Sequence, residues 1–252
     1  MNIMKILKNT ITVAALVLTA VGMSSCYIRI SDDQKARLKD DLRYEFDIDM
    51  DTVTFDVGKF QSISQERSLD DVVFIQTDGE YRVKIAAYSE SIDSVTVNNE
   101  NGTLRIGVKS EKSTLGPVKA WVYAPSIKGI STVGSGDLSI EEYSGDSLVI
   151  TAAGSGSIYA SYLDLTGVLM VNGAGSGDQD FRHITASELV IIKAGSSDGS
   201  YSDINVGKMS VASVGSGNTE ISGEAKSASI TKKGSGEIDT TNLKVKDLDI
   251  ED

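Results

Sequence analysis

The chain has 252 residues, with 24 basic and 36 acidic side chains, a net charge of -12 and a pI near 4.6. That acidity excludes nucleic acid as a partner, because phosphate binding needs clustered Lys and Arg. One His (His183), one Cys (Cys26) and one Trp exclude intrachain disulfides, Cys/His zinc sites, most His-dependent catalysis and an aromatic stacking platform.

Residues 1–25 read as an address. Lys5 and Lys8 form a positive start, and Ile11 to Met23 form a mostly apolar run. Such a run is too short to span a bilayer but has the size of a secretory signal. It ends at Met23-Ser24-Ser25-Cys26, which resembles the lipobox of bacterial lipoproteins and marks Cys26 as the expected lipid attachment residue. The alternative is ordinary cleavage near Ser25, leaving a free thiol that is a liability in an oxidising compartment. The mature chain is more acidic still, so anionic headgroups repel it and the anchor must hold it to the membrane. Residues 26–50 read as a polar tether, with room for a short helix over Asp33 to Tyr44.

The folded domain is expected over 51–252. From Thr52 to about Ile130 apolar residues alternate with polar ones, the pattern of half-buried strands. Val53, Phe55 and Val57 begin it, and Tyr81, Val83 and Ile85 continue, followed by Val95 and Val97. Asp78-Gly79 marks a turn, and Asn101-Gly102 marks a hairpin before Leu104, Ile106 and Val108. Ala120, Val122 and Ala124 form a further strand, closed by Pro125.

The strongest signal lies over 128–252. Gly-Ser-Gly begins at Gly134, Gly154, Gly175, Gly215 and Gly234, with Gly195-Ser196-Ser197 as a degenerate copy. The spacing stays within a residue of 20, an internal repeat. Four residues before each first glycine stand Ile130, Ile150, Val171, Ile191, Val211 and Ile230, all β-branched. Two further back come Lys128, Leu148, Leu169, Leu189, Met209 and Ala228. Six residues after the glycine come Ile140, Ala160, Phe181, Tyr201, Ile221 and Thr240, and nine after it Tyr143, Leu163, Ile184, Ile204, Glu224 and Leu243. A 20-residue period with several apolar columns predicts an all-β fold, a right-handed parallel β-helix whose coils stack at ~4.8 Å. Leu248 and Ile250 enter a seventh coil, and Asp247 to Asp252 read as a charged edge that discourages further strand addition.

These features together resemble the head GIN domain family of auto-transporter adhesins, β-helical domains of secreted and lipid-anchored bacterial proteins. The resemblance runs from about Phe60 to Asp252. It rests on the strands of Asp71 to Val108, on Val118-Lys119-Ala120-Trp121-Val122-Tyr123-Ala124-Pro125 leading into Ile130, and on the glycine corners. It implies the fold and an envelope location, and carries over no catalytic residue.

The remaining chemistry is weighed residue by residue. The central serines (Ser135, Ser155, Ser176, Ser196, Ser216, Ser235) have no base partner in the pattern and read as a hydroxyl ladder between coils. The glycines fit corners needing positive φ rather than a phosphate cradle. Asp137, Ser157, Asp178, Asp198, Asn218 and Glu237 form a column that reads as solvated turn residues or as stacked oxygen ligands for calcium. Phe181-Arg182-His183 reads as an exposed corner. Asp-Ser/Thr triplets at Asp51, Asp93, Asp146 and Asp239 resemble a periplasmic O-glycosylation acceptor. Lys193, Lys232 and Lys233 are the basic residues just before the glycines, without an acidic constellation.

No catalytic, cofactor or metal site is assigned. Three functional classes stand: a non-catalytic envelope protein binding a glycan, partner protein or surface; a structural spacer or assembly subunit; and a β-helical polysaccharide lyase or hydrolase. The first is expected, with the protein lipid-anchored in the cell envelope, at the outer membrane.

Overall fold

A computed structural model describes residues 50–251, apart from 67–68 and 110–115. The signal, almost all of the tether and Cys26 lie outside the described residues. The domain is a β-solenoid of stacked, mostly parallel strands. In chain order it comprises β1 (Met50–Asp56), β2 (Ser62–Gln65), β3 (Asp71–Gln76) and β4 (Arg82–Tyr88), then a one-turn helix α1 (Ser89–Ile92). There follow β5 (Val95–Glu100), β6 (Thr103–Val108), β7 (Lys119–Ala124), β8 (Gly129–Gly134), β9 (Asp137–Gly145), β10 (Leu148–Gly154), β11 (Ile158–Leu165) and β12 (Val168–Gly175). Three long strands then bend round the coil: β13 (Gln179–Gly195), β14 (Gly199–Gly215) and β15 (Thr219–Gly234). β16 (Ile238–Asp239) and β17 (Leu243–Glu251) complete the described chain. A helix of four residues is too short to leave a periodic trace, so α1 is absent from the sequence reading.

Each repeat passes three corners. The strand before the glycines stacks in the order β6, β2, β8, β10, β12 and then the C-terminal parts of β13, β14, β15 and β17. The β-branched column is in register throughout: Ile130, Ile150, Val171, Ile191, Val211 and Ile230 are at most 3% exposed and pair directly from coil to coil. Burying each such side chain is worth about 1.5–3 kcal/mol, and no coil can do so alone. Phe181 stacks on Tyr201 in the next column, with centroids 5.2 Å apart.

The glycine corner admits no side chain. Gly175 has φ +141°, and a Cβ there would lie 1.9 Å from the carbonyl oxygen of Gly154 in the preceding coil. That close approach is itself the bonding: Ser176 N–H donates to Gly154 O at 2.9 Å, and Ser196 N–H to Gly175 O at 3.0 Å.

One column shifts. Leu163, Ile184 and Ile204 follow the expected line, but Ile204 pairs with Gly223, which in turn pairs with Leu243. Glu224, assigned to that column from spacing, is exposed. The pairing of β14 with β15 slips between Tyr201 and Ile204, which absorbs the missing residue of the 19-residue repeat.

The N-terminal strands do more than precede the solenoid. β2 lies between β6 and β8, and β3 lies between β7 and β9, all parallel. The β2–β3 coil is therefore enclosed by segments that follow it in sequence. Beyond it the sheets end in antiparallel strands: β5 on β6, and β1 on β4 on β7. The β5–β6 turn uses Asn101 (φ 51°) and Gly102 (φ 78°), the two positive φ values a tight hairpin needs. Gln76 ties these layers together, donating to Pro125 O at 2.9 Å and Ser144 O at 2.8 Å while accepting Ser144 N–H.

Candidate interaction surface

The repeat places like residues over like, so each outward column becomes a row along the axis. Within the five residues before each first glycine the outward positions are Gly129, Ser131 and Val133; Val149, Thr151 and Ala153; Met170, Asn172 and Ala174; Val190, Ile192 and Ala194; and Ser210, Ala212 and Val214. None of them is charged, on five adjacent strands of a chain in which 24% of residues are charged; the next outward row on β13 and β14 is charged, with Lys208 bonded to Glu188 at 2.9 Å. Val133, Val149, Ile192 and Val214 are 39%, 41%, 43% and 54% exposed. At strand and residue spacings this is a flat uncharged patch of about 500 Å², in which the exposed apolar side chains are interleaved with Ser131, Thr151, Asn172 and Ser210. The strands after the glycine corner are different, carrying Asp180, Arg182 and Glu220 among their outward residues.

The predicted chemistry resolves into structural roles. The acidic column accepts backbone N–H groups from the next coil: Ser157 N–H donates to Asp137 Oδ1 at 2.7 Å, Asp198 N–H to Asp178 Oδ1 at 3.1 Å, and Asn218 N–H to Asp198 Oδ1 at 2.8 Å. Ser157 and Asn218 accept in the same way. These residues are neither idle turn positions nor convergent ligands. Among the described residues, no three His, Cys, Asp or Glu side chains gather as a metal-holding group.

The central serines are exposed, and Ser176 Oγ donating to Ser155 Oγ at 3.3 Å is the only such link recorded among the described residues. The ladder at this corner runs through glycine carbonyls, not hydroxyls. His183 and Asp203 occupy the second corner with φ of 47° and 54°, and their side chains meet at 2.6 Å. Phe181 is fully buried, so only Arg182 and His183 form the exposed corner; Arg182 is held by Asp180 at 2.7 Å. Of the acceptor triplets, Ser94 is 3% exposed and presents no accessible hydroxyl, while Ser147 Oγ accepts Val168 N–H. Trp121 and Tyr123 alternate with buried residues on β7; Lys84 and Lys119 lie 5.4 Å from the Trp121 ring, and Arg82 lies 4.1 Å from the Tyr123 ring.

Lys193 is the feature that sequence reading misplaced. It turns into the solenoid, 3% exposed, and Nζ donates to Asn218 O at 2.7 Å and Thr219 Oγ1 at 2.8 Å. Burial lowers its pKa to about 8, opposed by the charges of Asp198 and Asp178. Beside it the Tyr201 hydroxyl donates to Gln179 Oε1, and burial raises the Tyr201 pKa. The signal was present: Gly173 and Gly199 leave the space that Gln179 and Lys193 fill.

The family described as putative auto-transporter adhesin, head GIN domain, matches residues 59–180 and 162–251. Among solved structures, a putative adhesin from Bacteroides fragilis is similar over 81% of this chain and 94% of its own, with 21% identity and a TM-score of 0.70. Putative adhesins from Parabacteroides distasonis (16% identity, TM-score 0.57, 82% and 98% covered) and Parabacteroides merdae (15%, 0.52, 80% and 95%) share the fold. No curated protein sequence matches the chain.

Proposed function

The chain belongs to the head GIN domain family of putative auto-transporter adhesins, and from that premise we propose that it is a non-catalytic, lipid-anchored protein of the cell envelope. It is held at the outer membrane through Cys26, lifted by residues 26–50, and adheres to a glycan, partner protein or surface through the domain of 51–252. The observation that carries this reading is the uncharged face over β8, β10, β12, β13 and β14. A patch of about 500 Å² is smaller than the roughly 800 Å² per partner of a stable protein complex. Single contacts are therefore weak, and display of many copies on one membrane supplies the avidity. The lyase reading loses one of its three basic residues, because Lys193 is bonded inside the coil.

The test presents the full chain on vesicles to arrays of polysaccharides and envelope proteins. Saturable capture is expected, and it should fall sharply in Ile192→Glu and Val214→Glu, whose side chains face solvent. Capture unchanged by both substitutions overturns the assigned face. New reducing ends or unsaturated sugars overturn the non-catalytic reading.

A further inference from the structure

β17 pairs with β15 along one edge, and no described residue pairs with the other. Leu248 and Ile250 continue the inward columns above Ala228 and Ile230, yet they are 46% and 55% exposed. On the other side of the corner, Leu243 and Val245 continue the columns above Gly223 and Ala225. The pairing with β15 passes over Lys246, so the two arms of β17 meet at Lys246-Asp247.

The order of residues along this strand is the telling observation. Leu243-Lys244-Val245-Lys246-Asp247-Leu248-Asp249-Ile250 alternates apolar and charged residues up to the corner, with both charges positive. Read backward from Ile250, it gives the same alternation with both charges negative. The acidic half alone looks like a repellent edge, but the preceding arm carries its complement.

We propose that a second copy of this chain docks on the outer edge of β17, antiparallel, about a two-fold axis through the Lys246-Asp247 corner. In that register Leu243 faces Ile250, Lys244 faces Asp249, Val245 faces Leu248 and Lys246 faces Asp247, each pair occurring twice by symmetry. Residues opposite each other in an antiparallel pair share a face. Inward apolar side chains therefore meet inward apolar ones, and solvent-facing lysines meet solvent-facing aspartates. A slip of one residue sets charged side chains against apolar ones, and a slip of two takes the corners out of alignment. Lys244 already bonds Glu224 at 3.1 Å, but its side chain is 81% exposed and reaches outward. The two solenoids then run end to end, and the exposed columns of each close on the other.

The test is sedimentation of the full chain in mild detergent over a range of concentrations, at low and high salt. A reversible monomer–dimer equilibrium that weakens with salt is expected. Lys244→Asp with Lys246→Asp should weaken it by about tenfold or more, as should Asp247→Lys with Asp249→Lys. An equal mixture of these two variants should restore the dimer, which general damage to the fold cannot do. Circular dichroism checks folding; if a double variant does not fold, Lys246→Asp and Asp247→Lys, the residues at the axis, make the same comparison. A monomer at all concentrations leaves the edge to some other strand and overturns the proposal. A dimer indifferent to the charges places the contact elsewhere and also overturns it, and mixing without restoration overturns the register.

Discussion

The carboxylate of Asp198 accepts the backbone N–H of Asn218, one coil further on, at 2.8 Å. The same bond recurs along the corner, so a column of short polar side chains ties the coils where the backbone turns away from regular pairing. Asp198→Ala should destabilise the domain by about 1 kcal/mol, as loss of a comparable helix cap does, while Asp198→Asn should be nearly neutral. Denaturant unfolding of the three proteins measures this. Stabilisation of the parent by calcium, lost in Asp198→Ala, would show that the column ligates a metal.

The glycine corner makes a sharper demand. Gly175→Ala sets a methyl group against the Gly154 carbonyl in a backbone conformation that L residues rarely adopt. A cost of about 3 kcal/mol or more is expected, or failure to fold. Ser176→Ala, one residue away and exposed, should stay within about 0.5 kcal/mol. Equal melting temperatures for the two variants would contradict the register of the corner.

Lys193 sets a pH dependence whose sign follows from its lowered pKa. Below about pH 8 the ammonium is charged in both folded and unfolded chains, and its burial costs stability. As pH rises from about 8 toward the ordinary lysine value of about 10.5, the folded chain releases its proton first and the cost is relieved. Stability should therefore gain on the order of 2 kcal/mol from this group across that window. Lys193→Met should abolish the gain, measured as the difference between the two unfolding profiles. An unchanged difference from pH 7 to 11 would place the ammonium in water.

Cys26→Ala should release the protein from membrane fractions or leave its signal uncleaved, because the small-residue approach ends at that thiol. Fractionation and intact mass report the outcome directly. A parent of unmodified mass at Cys26 would return the residue to an ordinary cysteine.

The repeated half of the fold was legible because repetition aligns neighbours: Ile191, Val211 and Ile230 occupy one spacing, and Val211 pairs with each of the other two. Where the repeat length changed, spacing misled, and Gly223 took the place assigned to Glu224 through a slip at the corner. The enclosed β2–β3 coil could not be read. Val72 and Phe74 alternate as any strand does, and nothing local says that Ala120 and Val122 flank them on one side while Leu138 and Ile140 flank them on the other. The uncharged face was present residue by residue but becomes a surface only once the strands are stacked. The acidic column showed its oxygen atoms, but their partners are N–H groups about 20 residues away.

The enclosed coil also constrains the timing of assembly. A chain threaded out of a membrane pore, amino end first, delivers Ser62 to Gln76 early, but both flanks of that layer arrive later, with β6–β7 and then β8–β9. Strands β1 to β7 can pair among themselves once Ala124 has emerged, but the second flank of the enclosed coil must wait until about residue 140, since distant pairings cannot form before their partners exist. Chains arrested after Ala124 should be more readily digested by protease within β2–β3, which then has only one flank, than those arrested after Leu165. Until that second flank arrives the β2–β3 layer stays open on one side. Afterward the growing stack serves as a template for each new coil, because every later strand pairs with the one a coil before it.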